Sequence, residues 1–138
     1  MSTDQGFTLA TSSASRNVNS PHRISLKSQW KVDLLQDPED PNSVVIRSIR
    51  SFYRPSGLTT NQVLRFCFEP AMADMQFLIN GLNQPWTKNM GLASVPITGM
   101  MESINRIELR WRSSPSESPQ LPEKFAAWLE ISDDSQVQ

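Results

Sequence analysis

Holding a sugar takes a flat aromatic ring to cover the apolar face of a pyranose, and amides or charged groups nearby to engage its hydroxyls. In this chain those residue types converge in one stretch, where Trp86 stands among Asn83, Gln84, Lys88 and Asn89. The competing reading is a tryptophan folded back as a lid over the end of the core. A second group is cationic: Arg65, Arg106, Arg110 and Arg112, with Arg47 as a further member, fall on the outward parity of alternating stretches. On neighbouring strands their guanidinium groups would make a fork-rich patch for carboxylate or phosphate. Glu69 and Glu108 share that parity, so pairing within the face competes with any ligand.

Other chemistries lack their parts. Cys67 is the only cysteine and sits between two phenylalanines in VLRFCFE, the place of a small apolar filler rather than a thiolate nucleophile. His22 is the only histidine, which leaves a Ser-His-Asp arrangement without a base in the strand region. Asp37, Glu39 and Asp40 cluster in DPEDP but lack the glycine-pivoted spacing of a calcium loop, and no set of zinc ligands or glycine-rich phosphate cradle occurs. The expectation is a protein that is not an enzyme and carries no metal or cofactor.

Charge points the same way. Thirteen Lys and Arg against fourteen Asp and Glu give a net charge of −1, without the basic excess of a nucleic-acid or membrane-surface binder. The balance is uneven along the chain: residues 44–112 hold eight basic and four acidic side chains, whereas residues 113–138 hold one against five. The first twenty residues show neither a basic start nor an apolar run suited to a signal peptide, and the longest apolar stretch, FAAWL, is too short to span a bilayer. A soluble cytoplasmic protein is the expectation.

The elements that must position these residues are short strands. Alternation places Leu64, Phe66 and Phe68 on one side; Met75, Phe77 and Ile79, then Ile107, Leu109 and Trp111, then Ala127, Leu129 and Ile131 repeat the pattern. LKSQWKVDL reads as one strand with Leu26, Trp30, Val32 and Leu34 inward. SVVIRSIRSFY is β-rich but alternates poorly, which predicts a bulge or change of sheet near Ser48. Asn80-Gly81 is a tight-turn signal. Residues 1–22 read as a flexible arm, 23–132 as a single β-sandwich domain in which 113–123 is a Pro/Ser-rich surface connection, and 133–138 as a flexible tail. The fold class is all-β, a sandwich of two antiparallel sheets.

RSFYRPSGL, then FLINGLN, then VPITGMMESINRIELRW resembles the galactose-binding-like jelly-roll domain that begins many family 2 glycoside hydrolases. The matching positions are Phe52–Leu58, Leu78–Leu82, Pro96–Gly99 and Asn105–Trp111, about half the chain. The likeness departs around QPWTKNMG, the loop that would shape a sugar pocket. In the resembling enzymes the catalytic carboxylates lie in a separate barrel, so the resemblance implies a non-catalytic module with carbohydrate as leading ligand; the binding candidates, Trp86 with Asn83, Gln84, Lys88 and Asn89, and Arg65 and Arg110, come from the residues themselves. The alternative is a protein-interaction sandwich acting through an edge strand or sheet face.

Overall fold

Strands form wherever apolar residues recur at every second position, because an extended chain turns alternate side chains to one side. In the computed structural model, which describes residues 21–133 apart from 73 and 117, they are β1 (His22–Ser25), β2 (Lys31–Gln36), β3 (Val44–Tyr53), β4 (Gln62–Glu69), β5 (Gln76–Ile79), β6 (Leu82–Gln84), β7 (Lys88–Asn89), β8 (Leu92–Pro96), β9 (Ile104–Ser113) and β10 (Ala126–Asp133). Two five-stranded sheets result, ordered β2-β3-β9-β5-β6 and β1-β10-β4-β8-β7. Every pairing between described strands is antiparallel. Among the described residues no helix is long and apolar enough to cross a membrane.

The sheets bury their facing sides against each other. Leu64, Phe66 and Phe68 of β4 meet Phe77 and Ile79 of β5 and Ile107 and Leu109 of β9, all fully buried. Phe66 is the hub: its ring stacks on Phe77 at 5.2 Å and on Phe68 at 5.5 Å, with Trp30 at 6.4 Å. Asn80 and Gly81 take φ of 51° and 85°, the positive angles of a two-residue hairpin turn, and join β5 to β6 with Ile79 opposite Leu82.

Two expectations are corrected. LKSQWKVDL is not one strand: Leu26 continues β1 by donating its N–H to Ala127, Gln29 turns the chain at φ 71°, and Lys31 starts β2 in the other sheet. No bulge forms at Ser48, since the pairing of β3 with both β2 and β9 runs without a break. The irregular polarity has another cause. Ser48 faces the core with a buried hydroxyl that has no hydrogen-bond partner among the described residues, and Arg50, also on the inward parity, escapes at the open seam between the sheets, where its Nε donates to the Ser28 carbonyl. The described strands begin at His22 in β1 and end at Asp133 in β10. The rest of the expected arm through residue 20, and residues 134–138 of the tail, lie outside the described residues.

Candidate functional site

The outward side of the first sheet carries the charged residues. Pairing aligns them in rows across the strands: Asp33, Arg47, Arg110 and Gln76 in one, Lys31, Ile49, Glu108 and Leu78 in the next. Outward parity follows from the burial of Ile107, Leu109 and Trp111 on the other side of β9. Arg47 grips Asp33 with two bonds, Nε to Oδ1 at 3.1 Å and Nη2 to Oδ2 at 2.9 Å, a fork that holds the Asp33 carboxyl below its ordinary pKa range. Glu108 is buried although it faces outward, because Arg106 and Arg110 two residues either side both donate to its carboxylate. Arg110 commits only Nε there, so its remaining N–H groups have no partner among the described residues.

At one end of this face the sheet drops into a cleft of about 680 Å³. Its wall on one side is the 37–39 loop, on the other Asp74 and Gln76, with Leu35 and Val45 as an apolar floor and Arg110 and Arg112 between. Arg112 organises it: Nε meets Asp37 Oδ2 at 2.9 Å, Nη2 pairs with Glu39, and its backbone N–H donates to Asp74 Oδ2 at 3.3 Å. Asp37 is held below the ordinary carboxylate range, first by the Ser43 hydroxyl, then by the Glu39 backbone N–H, with the Arg112 charge adding to both.

This arrangement has a consequence for acid stability. Asp33 and Asp37 both have folded pKa values lowered relative to the unfolded chain, so their contribution is complete above the ordinary carboxylate range and disappears as pH falls through the lowered values. Thermal melts are expected to hold steady from pH 7 to about pH 5 and to fall steeply below about pH 4. Asp37→Asn should melt lower at pH 7 and show a shallower acid decline; an unchanged acid limb would contradict the assignment.

The residues singled out from sequence are scattered by the fold. Arg65 does not share the face of Arg106, Arg110 and Arg112: β4 belongs to the second sheet, where Arg65 lies opposite Glu130 and Pro96. Trp86 lies where the chain crosses from β6 in one sheet to β7 in the other. Its indole N–H donates to the Met75 carbonyl at 3.0 Å and its ring meets Phe68 edge-on at 5.4 Å, so it covers the end of the core. That crossing also separates its companions. Asn83 is exposed on β6 opposite Leu78, Gln84 is half-buried opposite Phe77, and Asn89 is exposed on β7 in the second sheet. Lys88 pairs through its backbone with Ala93. Of the seven, Arg110 lines the cleft and Asn83 lies on the same sheet face.

Sequence reasoning missed Asp74 and Gln76, and read Asp37 and Glu39 only against calcium. Nothing in their spacing gives them away, because they come together through the pairing of β2, β3, β9 and β5. Trp128 was legible: its parity opposes Ala127 and Leu129, which puts it on the outer side of the second sheet, under the Arg23 guanidinium at 5.0 Å and donating to Glu130 at 3.4 Å. No protein family matches the chain, and no curated protein matches it in sequence.

Proposed function

We propose that this domain is a non-catalytic binding module of jelly-roll, galactose-binding-like type, and that its ligand class is carbohydrate. The observation that supports this reading is the composition of the cleft. Two guanidinium groups, three carboxylates and the Gln76 amide surround an apolar floor, so the walls offer donors and acceptors in near balance and no dominant charge. A neutral polyhydroxylated ring presents the same mixture, each hydroxyl both donating and accepting, with C–H faces for Leu35 and Val45. The strand-and-turn order that resembles family 2 glycoside hydrolase binding domains points to the same class of ligand.

A glycan array followed by NMR titration of the best sugars tests it. Shifts are expected at Gln76, Arg110 and Arg112; Asp74→Asn is expected to weaken binding at least tenfold while leaving the urea midpoint within experimental scatter, and Arg110→Ala to weaken binding as much while also lowering the midpoint, because it removes one of the two partners of the buried Glu108. An ordered chain that binds no sugar would remove the proposal.

A second reading, a protein-interaction sandwich, is favoured by one observation. Both edge strands of the first sheet expose a leucine, Leu34 of β2 at 41% and Leu82 of β6 at 59%. Edge strands offer unpaired backbone groups, and apolar residues on them favour pairing with another chain. Light scattering decides: a dimer that Leu34→Lys or Leu82→Lys converts to monomer supports this reading, and a monomer at all concentrations opposes self-association.

A further inference from the structure

A second opening, of about 440 Å³, lies at the seam between the sheets and at the far end of β9 from the polar cleft. It exists because β2 stops short. Lys31 is opposite Ile49, so the last four residues of β3, Arg50–Tyr53, have no neighbour strand on that side among the described residues. The apolar part of the gap between them and β1 is lined by Ile24, Leu26, Phe52, Tyr53, Ile104 and Leu129, with Ser25, Gln29 and Ser51 as uncharged polar neighbours. Tyr53 and Ile104, directly opposite each other in the ladder, are 77% and 59% exposed, an apolar rim that continues the groove onto the surface.

Arg50 stands in the same opening and is the one charged residue lining it among the described residues. It is half-buried, and its guanidinium is held by two carbonyls, Nε to Ser28 at 2.6 Å and Nη1 to Ser51 at 2.9 Å. These bonds fix its direction without neutralising it, since no carboxylate among the described residues pairs with it. The arginines of the first sheet's outer face, Arg47, Arg106, Arg110 and Arg112, each have one. Burial lowers its pKa, the mark of a charge withdrawn from water without compensation. Three of its five N–H groups remain for a ligand.

From this juxtaposition we infer that the seam groove binds a medium-chain carboxylate, the alkyl chain lying between β1 and the end of β3 and the carboxylate seated on Arg50. Charge complementarity selects the occupant. An apolar molecule with no anion would leave the guanidinium uncompensated, and a short anion would leave the apolar walls wet. The volume falls within the range of roughly 300–1,000 Å³ typical of small-molecule sites.

Decanoate, decanol and hexanoate are the probes, titrated below their aggregation limits and followed by NMR on the full chain. Decanoate is expected to shift Ile24, Phe52 and Ile104 selectively and to bind at least tenfold more tightly than hexanoate, as burial of four further methylenes requires even at partial coverage. Arg50→Met should weaken decanoate at least tenfold and leave decanol unchanged, while Arg50→Lys, which keeps the charge, should recover part of the loss. Ile104→Glu should abolish binding of both. Any of three results would overturn the inference: decanoate shifts spread over the whole surface, decanoate and decanol binding equally to the native chain, or a native dimer that Ile104→Glu makes monomeric, which would assign the groove to a second copy of the chain.

Discussion

Replacing Phe66 by alanine is expected to destabilise the domain by about 3–5 kcal/mol, enough to unfold a large share of molecules in a fold of ordinary stability. The size follows from position. Phe66 is fully buried at the centre of β4, faces Leu129 and Val95 on its own sheet, and stacks across the core on Phe77 of the other. Its neighbours hang from two hydrogen-bonded sheets and cannot collapse into the space, so a cavity remains and the aromatic contacts are lost together. Urea denaturation checks it: the midpoint should fall with the slope unchanged. Phe66→Leu, which keeps most of the volume, should cost less than half as much. If the two variants are equally mild, the stacked rings are not the centre of the core.

The inner faces of the sandwich were legible in the sequence because alternation is a local property. Phe66, Phe77, Leu109 and Leu129 each advertise their side through residues two positions away, and Asn80-Gly81 announces its own turn. Arg65 and Arg110 show where such reading stops. Parity puts both outward, but outward from which sheet depends on strand order, and β4 and β9 belong to different sheets. Trp86 reads from sequence either as a platform or as a lid over the core, and the short crossing from β6 to β7, which draws it over Phe68, is a tertiary feature that local spacing does not carry. The polar cleft was invisible for a related reason, since Arg112 meets Asp37 and Asp74 only after three strands and two loops are in register. Arg50 is a local signal too: a charged residue on an inward parity predicts a bulge, and with the pairing of β3 unbroken it marks instead the place where the sandwich is open.

Asn105→Ala is expected to cost about 2–4 kcal/mol. Asn105 is buried at the start of β9, where its Oδ1 accepts from the Glu102 N–H at 2.8 Å and from Asn80 Nδ2 at 3.0 Å, and its Nδ2 donates to the Glu102 carbonyl at 2.8 Å. Asn80 in turn accepts from the Arg106 N–H at 2.9 Å, so one amide ties the β5–β6 turn to the entry of β9. Alanine leaves these groups without partners. Aspartate should be no better, because it cannot donate to Glu102 and brings a charge into the site. The neighbour that depends most on this knot is Ile104, the rim of the seam groove, whereas Arg112 and the polar cleft lie eight residues along β9, about 26 Å away at the usual strand rise. Sites so far apart should respond independently. Under conditions where Asn105→Ala remains folded, decanoate affinity is therefore expected to fall several-fold while the NMR shifts of Gln76, Arg110 and Arg112 stay where they are in the native chain. Equal losses at both ends would mean that β9 moves as one rigid rod and that the two openings are a single coupled system.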